Sequence, residues 1–375
     1  ARDSHVIHAA SGRRATFGEL ANLAGTMGVP RRPALKTRDQ YRLVGTSRNR
    51  ADIPSKVVGQ AQYGIDVVLP DMLYAAIMRA PVPGGQLTSV DPAPAKAMAG
   101  VREGVVLPDA VAVVADGYWV AQQGLNALTP QFTDAGVGGV DTAAIRAMHA
   151  AALDTEAMDT APAGARTIEA EYTVPYLAHV TMEPMCATVR LTDGLCEVWA
   201  GTQDPLSSRG VAANAAGLDR DAVIIHNQQL GGGFGRRLPG TYDYIEQAVQ
   251  VAKSFSPRPV KLIWSREEDM RHGYYRPFVM SRFRGTLDEQ GRAVSWASRF
   301  TGSRFGDTGA ATPKYSIDET DVRAVAPPEH LRTGAWRSVA ASQHGFFVES
   351  FIDELAHAAG RDPVEFRSEL LAEEP

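Results

Sequence analysis

The residues of this sequence best suited to chemistry are the run Gly231-Gly-Gly-Phe-Gly-Arg-Arg237. Glycine at 231, 232, 233 and 235 removes the Cβ atoms that hold a ligand off the backbone, and frees peptide N–H groups to face oxygen or phosphate. Arg236 and Arg237 follow the glycines directly. Such a loop suits a large anionic cofactor. It is not a Gly-x-Gly-x-x-Gly turn, because position 236 is Arg, and it is not a Walker loop, because no Gly-Lys-Ser/Thr closes it. A plain glycine turn is the competing reading, although such a turn has no need of Phe234 or of the arginine pair.

Other reactive side chains are sparse. Cys186 and Cys196 are too few for an iron–sulfur cluster or a Cys-type zinc site, and read as small hydrophobes on neighbouring strands. His179, His272 and His344 lie in unrelated contexts without ligand spacing and read as structural or surface residues. No residue is assigned as a metal ligand. The 38 basic and 43 acidic residues are mixed along the chain, which excludes a basic stripe for nucleic acid. No window approaches the roughly 18 apolar residues of a membrane span.

Three separated motifs in register, Gly201-Thr-Gln-Asp-Pro205, Gly231 to Arg237 and Gly334-Ala-Trp-Arg-Ser338, resemble the molybdopterin-binding large subunit of the xanthine dehydrogenase and aldehyde oxidase family. The Arg-Arg ending, Met182-Glu-Pro184 and Ser350-Phe-Ile-Asp-Glu-Leu355 are similar to its isoquinoline 1-oxidoreductase β-subunit branch. The resemblance implies hydroxylation of an N-heteroaromatic ring or an aldehyde, with oxygen from water. It implies molybdopterin with molybdenum, in the cytosine dinucleotide form, and electrons leaving to [2Fe-2S] clusters on a small partner subunit, then to a cytochrome c or another acceptor. Gln203 takes the place of the glutamine that hydrogen-bonds the apical oxygen of the metal. Phe234 shapes the pocket wall, and Arg337 holds the pterin or substrate side. Gly231, Gly232, Gly233, Phe234 and Gly235 lie against the cofactor, with Ala335, Trp336 and Arg337 on a second loop and Arg236 and Arg237 on the pyrophosphate.

Two departures matter. Leu238 stands where purine-oxidising members place a glutamate, so xanthine is a poor substrate. The family's catalytic glutamate belongs to a motif beyond Pro375, so that role is not given to Glu369, Glu373 or Glu374. The chain is expected to be an incomplete piece of its subunit, inactive alone. A non-catalytic scaffold or assembly protein of the same fold is the alternative.

The elements that must position these residues read as α+β. Residues 1–50 look like the tail of a preceding segment, with a weak helical pattern at Phe17, Leu20, Ala21 and Leu23. Residues 51–132 resemble an α/β-hammerhead domain, with short strands across Lys56–Asp66 and buried strands at Leu73–Met78 and Ala110–Ala115. Residues 133–167, rich in Ala, Gly and Thr, read as a linker with one short helix. Residues 168–375 are the first part of a mixed α/β molybdenum-cofactor-binding domain. There a hairpin turns at Asp193-Gly194 and the strand Val223–Ile225 leads into the glycine loop. A helix spans Tyr242–Lys253, Ser265 and Glu268 form a capping box, and Phe347, Phe351, Ile352, Leu355 and Ala359 stripe a helix stopped by Gly360 and Pro363.

Overall fold

The structure, a computed structural model, describes residues 1–158, 165–302, 307–326 and 330–372, so Glu373 and Glu374 lie outside it. Residues 1–60 and 61–375 are two compact units. In the first, the weak helical pattern is the helix Phe17–Gly25, with Thr16 and Glu19 capping its start reciprocally. The strands expected across Lys56–Asp66 are absent. Ile53–Val57 is a helical turn begun by Pro54, whose fixed φ suits a first turn, and Gly64–Asp66 is a 3₁₀ turn whose Asp66 carboxylate accepts from the Tyr63 N–H.

The second unit is built on a seven-stranded and a four-stranded sheet, and its architecture is α+β. The larger sheet runs in the order Val223–Asn227, Leu195–Ala200, Cys186–Thr192, Val260–Ile263, Leu73–Arg79, Ala110–Ala115, Val101–Leu107. Ala110–Ala115 is buried along its whole length, as a strand covered on both faces must be. The Cys186–Thr192 and Leu195–Ala200 strands form the expected hairpin, Gly194 taking a φ of 76°. Both cysteines are buried on this pair, free of any disulfide. The helix Asp243–Ala252 covers the sheet with Ile245, Ala248, Val249 and Ala252 buried.

The smaller sheet orders Glu319–Val325, Ala293–Thr301, Val279–Leu287 and Arg166–Val174. The long helix Ala341–Ala358 packs Phe347, Phe351, Ile352 and Leu355 against its Phe283 and Trp296. Gly285 permits that approach, because a Cβ there would stand 2.9 Å from Leu355 Cδ2 and 3.1 Å from Phe351 Cε1. Gly360, at φ 69°, follows the helix, and Pro363 opens the next. The helix Thr142–Leu153 seats Ile145 and Leu153 against Phe278 and Met280.

One expected cap is only half present. Ser265 accepts from the Glu268 N–H, but the Glu268 carboxylate does not turn back to the cap; it accepts from the Arg79 N–H at 2.7 Å. Among the described residues no helix is long and apolar enough to cross a membrane. Truncating Phe351 to alanine leaves a void where helix and sheet meet, and urea unfolding of this variant is expected to show a loss of about 3–5 kcal/mol.

Candidate functional site

Two strands decide where the site lies. Leu195–Ala200 and Val223–Asn227 run parallel and adjacent, joined by the helix Pro205–Ala216, with Trp199 opposite His226 and Ala200 opposite Asn227. Their C-terminal ends therefore deliver two loops side by side, the usual ligand-binding edge of parallel strands. The first loop carries Gln203 and the second carries Gly231–Leu238. The Gln203 N–H donates to the Arg237 carbonyl at 3.0 Å, and a Cβ on Gly233 would lie 3.2 Å from Gln203 Oε1. A third loop, Gly334–Ser338, closes on the same stretch. A Cβ on Gly235 would fall 1.9 Å from the Ala335 carbonyl oxygen, so Gly235 and Ala335 are pressed together.

His179 sits at that junction, its Nε2–H donating to the Ala335 carbonyl at 2.9 Å. Burial lowers its pKa, with the Arg236 charge adding to the effect and the Ala335 hydrogen bond opposing it. Trp336 donates from Nε1 to the Ala178 carbonyl at 3.5 Å, and the Arg276 guanidinium lies over its ring. Arg337 is exposed and meets no acceptor among the described residues. Gln203 and Ala335 thus converge on the glycine stretch that carries Phe234, with Trp336 and Arg337 following Ala335 on the third loop. Among the described residues no group of three or more His, Cys, Asp or Glu converges into a metal-ligand set.

The arginine pair departs from expectation. Neither guanidinium is available to a pyrophosphate, because both are buried, at 1% and 0% exposure, and are met by protein acceptors. Arg236 pairs with Asp243 at 2.8 Å, donates to the Thr241 carbonyl and lies between the rings of Trp264 and Tyr274, 5.4 and 5.2 Å from their centroids. Burial pushes the Asp243 carboxyl up, but Arg236, Arg79 and Arg332 around it outweigh that and hold it low. Arg237 donates to Glu183 Oε2 at 2.8 Å and to the carbonyls of Gly201, Gly232 and Glu183. Glu183 is the residue that sequence reasoning missed. Its carboxylate also accepts from the N–H groups of Gly231 and Ile65, each at 2.9 Å.

The loop's peptide groups are sorted by this arrangement. The carbonyls of Gly231, Gly232, Gly233 and Gly235 accept from Glu183 N, Arg237 Nε, Arg236 N and Leu238 N. The N–H groups of Gly232, Gly233, Phe234 and Gly235 have no acceptor among the described residues. Successive bare N–H groups on a surface free of side chains make an anion-binding concavity. The rim is strained: Phe234 in the glycine loop, Ser338 and Val339 at the end of the Ala335 loop, and Val180 next to His179 hold φ values of 54°, 72°, 50° and 48°, a region that residues other than glycine rarely adopt. Phe234, 44% exposed, projects from it.

A glycine-lined donor array at the ends of two parallel strands defines this as a binding domain for an anionic cofactor. Residues 144–371 match the molybdopterin cofactor-binding domain, and the chain belongs to that family. It is 29% identical over 372 residues to the isoquinoline 1-oxidoreductase subunit beta of Brevundimonas diminuta, covering 89% of this chain and 47% of that one. It is also 29% identical to a membrane-bound aldehyde dehydrogenase [pyrroloquinoline-quinone] of Gluconacetobacter polyoxogenes, covering 97% and 53%. The quinoline 2-oxidoreductase of Pseudomonas putida 86 shares the fold, with a TM-score of 0.68 at 18% identity over 86% of this chain and 49% of that one. The chain spans about half the length of the curated relatives it matches. The resemblance read from the three motifs is borne out.

Two outcomes follow from this geometry. Gly235→Ala must force the Ala335 loop away, and Gly231→Ala meets Glu183 Cβ at 2.3 Å, whereas Gly233→Ala only nudges Gln203. Differential scanning calorimetry is expected to rank the first two as strongly destabilised and the third as near wild type. Glu268, behind the Arg236 cluster, supplies a pH test. Burial raises its carboxyl from 4.5 to about 7, against the pull of Arg79. A folded-state pKa above the unfolded one means that its contribution is full below 4.5 and is lost as pH rises towards 7. Glu268→Gln should therefore lose less stability than wild type in denaturant melts taken from roughly pH 5 to pH 7.5. His272, depressed to about 3 by burial and by Arg79 and Arg332, acts in the opposite sense and touches the Glu268 carboxylate at 3.3 Å, so the difference between the two proteins reports on this pair.

Proposed function

We propose that this chain is the molybdenum-cofactor-binding part of a molybdenum hydroxylase that oxidises N-heteroaromatic compounds or aldehydes. The observation that carries the reading is the row of unpartnered N–H groups from Gly232 to Gly235, with Gln203 over one end and Ala335 against the other. These residues fit an anionic metallopterin: the donors are backbone groups, and those of Gly232, Gly233 and Gly235 carry no Cβ to hold a ligand off. When bound, the cofactor supplies two-electron oxidation with oxygen taken from water. Gly231, Gly232, Gly233 and Gly235 provide the flush surface, and Phe234 walls it. Ala335, Trp336 and Arg337 form the opposite side, Arg337 being the guanidinium still open to a ligand. Gln203 is placed to orient a polar ligand atom above Gly233. Arg236 and Arg237 support the loop from inside.

The substrate class follows the names of the two curated relatives, isoquinoline and aldehyde, and Leu238 adds an apolar rather than an acidic side chain next to the loop. A cytosine dinucleotide tail on the pterin, a small [2Fe-2S] partner subunit and an acceptor such as a cytochrome c complete the proposal. The same holds for the division into a hammerhead region at 51–132, a linker at 133–167 and the cofactor domain from 168.

The complete subunit purified from a host that makes molybdenum cofactor should contain molybdenum and a pterin nucleotide in equal amounts. Bound pyrroloquinoline quinone instead, or neither group, would sink the reading, and the latter result leaves a scaffold protein of this fold. In the assembled enzyme, Gln203→Ala is expected to keep its molybdenum while turnover of isoquinoline or an aldehyde falls about a hundredfold, the scale for losing one donor to a polarised oxygen.

A further inference from the structure

Glu183 stands in Met182-Glu-Pro184, a sequence step with no reaction to perform, yet it joins three loops. It is 5% exposed, and each of its carboxylate oxygens is used: Oε1 by the Ile65 N–H, Oε2 by the Gly231 N–H and by Arg237 Nη2. Its backbone pairs with the same loop, the Glu183 N–H donating to the Gly231 carbonyl at 3.0 Å. Ile65 is held at its other end by Lys261, whose Nζ donates to the Ile65 carbonyl at 2.6 Å. The contact between Glu183 and Gly231 is so close that a Cβ on the glycine would overlap Glu183 Cβ at 2.3 Å.

We propose that Glu183 is a positioning residue for the cofactor loop, acting through Arg237. This rests on the cofactor-binding reading above and adds how the loop is made ready for its ligand. A glycine run has no intrinsic preference for presenting N–H groups rather than carbonyls. Glu183 takes the first N–H of the run, at Gly231, and fixes Arg237. Arg237 in turn draws the Gly232 carbonyl inward and ties the loop to Gly201, at the start of the loop that carries Gln203. With the carbonyls of Gly231, Gly232, Gly233 and Gly235 occupied, the next four N–H groups are left to the ligand, so the glycines of the loop offer it donors and not acceptors. Both members of the pair are buried, so they act on the loop from behind.

A single Glu183→Gln variant leaves an unpaired guanidinium in the interior and loses stability for that reason alone. The informative protein is the double variant Glu183→Gln, Arg237→Gln, which removes both charges. Its melting temperature is expected to return towards wild type. Two other readouts should not return. In the metal-free protein, amide hydrogen exchange of the 231–235 peptide should be faster than in wild type. In the loaded protein, molybdenum retained through gel filtration should fall about tenfold, the scale for losing a group that orients a metal site from behind. Gly231→Ala, which wedges the loop off Glu183 with both charges kept, should show the same two changes. Wild-type exchange and wild-type retention in both variants would overturn the proposal. Faster exchange in both variants, together with a wild-type chain that binds no molybdenum at all, would instead support the clamp and overturn the cofactor reading.

Discussion

A guanidinium cannot be left unmatched in a protein interior, and the centre of this molecule is organised around meeting that constraint twice. Arg236 and Arg237 are consecutive, so their side chains leave the backbone in different directions and need separate receptacles. One enters an acidic and aromatic nest made by Asp243, Trp264 and Tyr274; the other enters a cage of carbonyls around the Glu183 carboxylate. Each receptacle belongs to a different part of the fold, the first to the helix that covers the large sheet and the second to the loop ahead of the Cys186–Thr192 strand. Between them they pin the end of the glycine run from both sides. The flexibility that glycine would otherwise confer is suppressed along this stretch of backbone.

Much of the scaffold was legible because local pattern and tertiary role agree. The stripe Phe347, Phe351, Ile352, Leu355 is a helix in any context, Ala110–Ala115 has the length and composition of a covered strand, and the three motifs stand at one place. Misreadings came where a partner lies far along the chain. Arg237 reaches an acceptor 54 positions away, and Ile65 meets Glu183 across 118, separations at which spacing carries no signal. The arginines look like phosphate ligands because their type and neighbourhood suit that role; only burial shows that they face inward. Glu268 was assigned to a helix cap on the strength of its spacing, but the Arg79 backbone of a neighbouring strand is the stronger claimant. Across Lys56–Asp66 the β-branched residues suggested strands, but Pro54 and the Asp66 side chain impose turns.

Glutamate at 183 could have been suspected from sequence by one sign: a charged residue wedged between Met182 and Pro184, directly ahead of a buried strand, has to be neutralised by something. What spacing could not supply is the identity of the neutralising group. The same holds for His179, set aside as structural, which proves to be the peg between the glycine loop and the Ala335 loop. Residues that hold a site together are harder to read than residues that touch a ligand, because their chemistry is satisfied entirely by other parts of the chain.

The large sheet does not respect the limits of the matched family domain. That domain begins at residue 144, but its Val260–Ile263 strand is paired in parallel with Leu73–Arg79, and two further strands lie beyond. Excising residues 144–371 as a module would strip three strands from one side and bare a row of backbone donors and acceptors on an apolar strand, an invitation to edge-to-edge association. For the large sheet, the unit inherited as a sequence family and the unit able to fold without aggregating have different borders.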